Sequence, residues 1–432
     1  STTVGGGTWT HALTLDITQF YAAAIDPSNP ARLMGGTQDN STPITTGSPT
    51  GWTYALGVGD GFHCAIDPTN PAVLFAEWQF GCSGSGPRRS TNSGGSWTAP
   101  TGFTSTDRYN WSTPLVMNPK NNNLLLVGSH RVYRSLNNGV SYSIISGDLT
   151  TANPTSLLTY STITTLDIAA PDTNVYYAGT DDGKVWRSVN RGGAWTDVSA
   201  GLPVRWVTRV VADPADPQVV FVTLSGFGGD EHLPHIYRSA NRGTTWTPIA
   251  GNLPDVPLND VVVDPIDTQR LYVASDVGVY WTRDQGAVWL PLGSGLPFTA
   301  VFDLNLHAAS RTLVAATHGR SQWKADLTQI PVAVGPGPRP PGLALSPPAP
   351  NPSREHASLT LAMSAPGRAE VAVFDARGRR VRSLIGARLD AGSHPLTWDG
   401  NDASGARAPA GVYFVRASTP VGSVSRRLVR VE

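Results

Sequence analysis

The chain is poor in the groups that most often carry chemistry or cross boundaries. Of its 432 residues only 2 are cysteines and 3 methionines, 15% are charged, and lysine occurs only at 120, 184 and 324. Basic and acidic residues balance at 32 each with no basic stripe, so nucleic acid is not expected as a partner. No run is long and apolar enough for a membrane span. No His-Glu-x-x-His pair, Gly-x-Ser-x-Gly elbow, Walker loop or dinucleotide fingerprint occurs, and neither a metal nor a cofactor is expected. The chain opens at Ser1, as a processed, exported form would. Cys64 and Cys82 lack a CxxC spacing or a neighbouring His ligand. A disulfide is the favoured expectation for them, two buried thiols the alternative.

What the chain has in quantity is turn residues, 45 Gly and 35 Pro, and a phrase that returns five times. It runs Ser/Thr-x-Asn/Asp-x-Gly-x-x-aromatic, at Ser90 to Trp97, Ser135 to Tyr142, Ser188 to Trp195, Ser239 to Trp246 and Thr282 to Trp289. Its glycines, Gly94, Gly139, Gly192, Gly243 and Gly286, lie 43 to 53 residues apart, the length of a four-stranded sheet with its turns. Asn92, Asn137, Asn190, Asn241 and Asp284 are read as structural residues. Each side chain can bind the amides of the turn that follows, the Gly accepts positive φ, and the aromatic plugs the gap below.

Before these phrases come β-rich pairs joined by Asp-Pro or Asn-Pro turns, as at Asp26-Pro27, Asp67-Pro68, Asn118-Pro119, Asp213-Pro214 and Asp264-Pro265. Two looser copies, around Asp167 and Asp303, bring the count to seven. The fold class expected is all-β: a seven-bladed β-propeller over 1–328, then a Pro/Gly-rich linker over 329–342, then an Ig-like β-sandwich over 343–432. The last blade lacks its final strand, and Gly5 to Thr10 is expected to supply it and close the ring.

The fivefold phrase resembles the Asp-box (BNR) repeats of sialidases, sortilin-like ectodomains and xyloglucanase-type glycosidases, with Asn in four of five copies where those families usually have Asp. Asn351-Pro352-Ser353, Phe374-Asp375-Ala376-Arg377-Gly378, Trp398-Asp399-Gly400-Asn401-Asp402 and Ala410-Gly411-Val412-Tyr413-Phe414 resemble the Ig-like domain of flagellar hook-capping proteins and the sorting domains of type IX secretion. That likeness implies export to the medium or the bacterial cell surface. Gly35 to Asn40, Gly59 to Phe62 and Ala316 to Arg320 are similar to exported bacterial BNR-repeat proteins described as glycosyl-hydrolase-like or sortilin-like.

Relatives of this kind use the face bearing the second-to-third turns and the blade connections. The ligand-binding candidates are therefore Gln38, Asp39, Asn40, Asp60, Glu77, Gln79, His130, Arg131, Asp181, Asp276, His318 and Arg320, a mixture of acids, amides, His and Arg suited to a glycan or protein ligand. A glycosidase needs a carboxylate pair at a set separation, and no spacing singles one out here. The Arg-Ile-Pro opening of sialidases is absent, the first blade has no candidate Arg beyond Arg32, and one propeller cannot form the inter-propeller cleft of xyloglucanase-type enzymes. Catalytic residues are thus unassigned. The first expectation is an exported binding or structural propeller, assembling into homo-oligomers or filaments through its Ig-like domain; the alternatives are a glycoside hydrolase on extracellular polysaccharide and a peptide-gripping receptor or assembly factor.

Overall fold

A computed structural model describes residues 17–48, 51–57, 59–151, 160–226, 233–293, 295–328, 330, 343–346, 348–363, 365–375, 378–419 and 422–431. The chain divides into two compact units, Ser1–Gln329 and Ile330–Glu432. Among the described residues the first unit holds seven antiparallel sheets, five of four strands and two of three. Their first strands are Ala24–Asp26, Gly61–Ile66, Leu115–Asn118, Ile163–Ile168, Val207–Ala212, Leu258–Val263 and Val301–His307. These strands neighbour one another in order, and the seventh lies beside the first. The result is a closed propeller.

The wedges between sheets are filled largely from second strands that are buried on both faces, as in the continuous run Val220–Leu224, together with residues of the first strands. The wedge that closes the ring brings Phe20, Ala23, Ile25 and Leu33 against Val314 and Ala316. Ring closure by Gly5 to Thr10 lies outside the described residues. Among the described residues, Phe20 N–H donates to Thr317 O at 3.0 Å and Ser321 N–H to Thr18 O at 2.9 Å, joining the first and last sheets.

The repeated turn is held alike in every copy. Asn190 Oδ1 accepts Ala194 N–H at 2.8 Å and Ser188 Oγ–H at 3.0 Å, while Gly192 N–H donates to Ser188 Oγ at 2.8 Å. Asn92, Asn137, Asn241 and Asp284 repeat these bonds. The Trp that follows reaches back to the preceding sheet: the indole N–H of Trp97, Trp195, Trp246 and Trp289 donates to Ala55, Ile145, Val198 and Ile249 carbonyls at 2.5 to 3.0 Å.

The sequence expectation of a Cys64–Cys82 bridge is corrected: both are free thiols. Cys64 pairs with Ala76 in the second sheet and its thiol faces the Gly36 backbone of the first sheet. Cys82 is carried past that pair into the next turn, where its thiol faces the Trp78 and Arg88 backbones. Burial pushes the Cys64 thiol strongly upward and that of Cys82 to about 12, so both remain protonated.

The second unit is a sandwich. One sheet comprises Leu343–Leu345, Ala357–Met363 and Gly392–Trp398; the other comprises Arg380–Leu389, Gly367–Asp375, Gly411–Thr419 and Gly422–Arg430. Its core gathers Leu361, Val371, Val373, Val415, Leu428 and Trp398, whose indole donates to Asn401 O at 2.8 Å.

Candidate functional site

Antiparallel order within each sheet puts the first-to-second and third-to-fourth turns at one end of the ring and the remaining connections at the other. At that second end, five first strands carry a β-bulge, with register shifts at Gly61/Cys64, Ile163/Thr165, Val207/Arg209, Leu258/Asp260 and Val301/Asp303. A bulge frees one residue from the ladder and re-aims its side chain. In the fourth to sixth sheets that residue donates to the next first strand: Thr164 Oγ1 to Val207 O at 2.5 Å, Thr208 Oγ1 to Leu258 O at 2.6 Å and Asn259 Nδ2 to Val301 O at 2.9 Å. In the seventh and second sheets the bulge holds Phe302 and Phe62, and Tyr21 occupies the same place relative to the Asp-Pro turn in the first. The same backbone device therefore makes inter-sheet staples on one arc and an aromatic cluster on the other.

That cluster is continuous. Tyr21 lies 4.6 Å from Phe62, 6.1 Å from Phe302 and 5.7 Å from His318, which is 4.8 Å from Phe302. Phe62 meets Trp111 edge-on at 6.4 Å, Trp111 meets Phe80 at 5.9 Å, and Phe80 meets Tyr160 at 6.2 Å. Trp111 is 41% exposed and Phe80 40%, so the end of the cluster faces solvent. Phe80 is held there by an uncommon backbone: Phe80, Gly81, Cys82 and Ser83 form a left-handed turn with φ of 55 to 57° and ψ of 42 to 49°. For residues other than Gly this costs roughly 1–2 kcal/mol each. It is held by Phe80 N–H donating to Trp111 O at 3.1 Å and by Gly86 N–H donating to Gly81 O at 3.0 Å. Strain maintained in this way concentrates at working surfaces.

Five candidates gather beside the aromatics. Tyr21 Oη donates to Gln38 Oε1 at 3.0 Å, and Asn40 Nδ2 to Gln38 O at 3.1 Å. Asp60 Oδ1 accepts Asp39 N–H at 2.6 Å, with Asp39 at φ 60°, and Gln79 Oε1 accepts Asp60 N–H at 3.0 Å. Burial, then the Asp60 and Asp39 charges, raises the Tyr21 phenol, which stays protonated as a donor. His318 joins this group through its ring contacts; burial lowers it against the pull of Asp276, so it is neutral near pH 7.

The other candidates are placed elsewhere. Glu77 is only 1% exposed; its Oε1 accepts His63 N–H at 3.3 Å, and burial raises it well above the carboxylate range against the pull of the His63 and Thr113 backbone amides. Asp181, 2% exposed, accepts Thr162 N–H at 2.9 Å and Tyr160 N–H at 2.6 Å, fixing the connector that carries Tyr160. Arg131 Nε donates to Asp107 Oδ2 at 3.1 Å, and His130 Nδ1 accepts Arg108 N–H at 3.3 Å in the same network. Asp276 accepts Asn259 Nδ2 at 2.9 Å, and Arg320 is exposed with its guanidinium on Gly319 O.

One residue further along the first strands lies a second layer, distinct from the rim residues. Counting back from the Asp-Pro positions, His63, Thr165, Arg209, Asp260 and Asp303 are equivalent, and all but Thr165 line an axial cavity of about 270 Å³. Arg209 Nε donates to Asp260 Oδ1 at 2.5 Å and its Nη2 to Asp303. Asp260 Oδ2 accepts Leu304 N–H at 2.8 Å, and Asp303 Oδ2 accepts Ala23 N–H at 2.9 Å. One guanidinium thus links the fifth, sixth, seventh and first sheets. Burial raises Asp303, with Arg209 opposing, and raises Asp167, two residues along its strand from Thr165, to about 6. Burial, aided by the Arg209 charge, holds His63 near 3. Aligning the strands on their Asp-Pro turns is the sequence signal that exposes both layers.

Residues 353–422 match the family described as FlgD Ig-like domain. A xyloglucanase of Hypocrea jecorina (strain QM6a) is 28% identical over 142 residues, 29% of this chain; the match spans 16% of that relative's length. A GH74 xyloglucanase structure from Xanthomonas campestris aligns with TM-score 0.57 at 14% identity, over 95% of this chain and 74% of that one. A GH74 enzyme from Niastella koreensis gives 0.56 at 13%, over 96% and 66%. YCF48 from Cyanidioschyzon merolae gives 0.52 at 11%, over 74% and 98%. No helix among the described residues is long and apolar enough to cross a membrane. Fold and likeness agree on a nearly all-β chain, a propeller followed by an Ig-like domain.

Proposed function

We propose that the protein is an exported glycan-binding propeller whose binding surface is the aromatic arc at the end of the ring that bears the second-to-third turns, centred on Trp111 and Phe80. The observation that carries this reading is the solvent-facing Trp111–Phe80 pair, backed by the Phe62, Tyr21, Phe302 and His318 rings and bordered by Asp39, Asp60 and Gln79. Aromatic faces stack on the apolar faces of sugar rings, while flanking carboxylates and amides take up hydroxyl hydrogen bonds.

Affinity electrophoresis and calorimetry against neutral polysaccharides, xyloglucan included, and against a peptide panel test it. Binding of a glycan should weaken about tenfold in Trp111→Ala and in Phe80→Ala. Binding that is confined to peptides, or that is unchanged in both variants, defeats the reading.

Glycoside hydrolysis is the second reading, favoured by the sequence match to a xyloglucanase and by two carboxylates, Asp39 and Asp60, at the rim. Release of reducing ends from a bound polysaccharide, lost in Asp39→Asn or Asp60→Asn with binding retained, would promote it over the binding reading.

A further inference from the structure

The outer face of the four-stranded sheet in the Ig-like unit departs from the usual polar exterior. Along the ladder, Arg380 stands opposite Phe374, Phe374 opposite Phe414, and Phe414 opposite Arg427. In the neighbouring row Ala372 faces Arg416, whose guanidinium carbon lies 6.0 Å from the Phe374 ring centroid. On the other side Val412 pairs with Val429. Phe414 is 38% exposed and Val412 39%, while the alternate residues Tyr413, Val415 and Ala417 fill the core. The acid next to this face is Glu370, 3.7 Å from Arg380. A flat apolar centre rimmed by guanidinium groups is how interaction surfaces are built, not how a solvated sheet face is built.

Charge selects the occupant. Residues 343–432 contain 12 Arg, no Lys and 7 acids, whereas the rest of the chain contains 20 basic and 25 acidic residues. We propose that the Phe374–Phe414 face, with Arg380, Arg416 and Arg427, docks onto the acidic propeller of a second copy of this chain. Such a contact joins two different surfaces, so it is head-to-tail and extends into chains of molecules unless its rotation closes a ring. Attraction between opposite charges speeds the encounter, and added salt screens it.

Sedimentation velocity of the full chain over a range of concentrations, at about 0.02 M and about 0.5 M salt, tests the proposal. Association that rises with concentration at low salt and falls at high salt is expected. Phe414→Asp combined with Arg416→Glu should weaken it at least about tenfold, and Arg416→Lys should retain most of it. The first variant sits on an outer face, and an unchanged melting curve establishes that it folds. Hydrogen exchange at low and high concentration then identifies the partner surface: protection in Gly411–Thr419 together with a propeller segment supports the contact. A monomer under all conditions, association that ignores salt or both substitutions, or protection confined to the Ig-like unit overturns it.

Discussion

The two arcs of the propeller ring use one backbone irregularity for opposite ends. On the arc of the fourth to sixth sheets, the bulged residue is Thr164, Thr208 or Asn259, and each side chain binds the next sheet. On the arc of the seventh, first and second sheets the same place holds Phe302, Tyr21 and Phe62, which bind one another and support Trp111 and Phe80 at the surface. Stability and recognition are thereby separated around a ring whose strands are otherwise near-copies. Substitutions on the first arc should cost stability; those on the second should cost binding.

The largest effect expected is on the stapled side. Arg209→Met leaves Asp260 and Asp303 buried without their cation, which costs about 3–5 kcal/mol. Thermal unfolding should show a fall of about 10 °C, and glycan binding below the new transition should survive. If Trp111→Ala destabilises as much as Arg209→Met, the division of labour is wrong.

A pH titration sharpens the same comparison. Asp167 and Asp303 have raised pKa values in the folded chain, so between the ordinary aspartate value and the raised one the folded state holds a proton that the unfolded state has released. Stability then falls as pH rises, from about 4 to about 6 for Asp167 and further for Asp303. The loss attributable to Asp167 is on the order of 3 kcal/mol. Asp167→Asn should reduce the fall in melting temperature across that window and leave the part due to Asp303. An unaltered slope would remove the axial carboxyl from the account.

Smaller still, Thr208→Val should cost about 1–2 kcal/mol by leaving the Leu258 carbonyl without its donor. The least effect belongs to the repeated turn, where Asn190→Asp keeps the acceptor for Ala194 N–H and should change stability by less than about 0.5 kcal/mol. Chemical denaturation resolves both, and a reversal of their order would show that the turn, not the bulge, sets inter-sheet strength.

The sheets were legible because their signals are local: Asn190, Gly192 and Trp195 act within one turn and its neighbour, and an Asp-Pro or Asn-Pro pair marks the first turn in five of the seven sheets. The bulge was not, since it depends on how two strands register, and with it the roles of Phe62, Thr208 and Arg209 stayed hidden. Of the candidate site, Gln38, Asp39, Asn40, Asp60, Gln79 and His318 come together, while Glu77 and Asp181 are buried. The left-handed turn at Phe80 to Ser83 also escaped: only Gly81 hints at positive φ, and tertiary contacts with Trp111 impose it on the others.

Hydrogen exchange of the full chain with and without a bound oligosaccharide tests the central claim most directly. Protection should appear at residues 37–41, 59–62 and 79–83 and around Trp111 and His318, with the fourth to sixth sheets unchanged. Protection instead at the repeated turns around Asn190 and Asn241, on the opposite end of the ring, would contradict it.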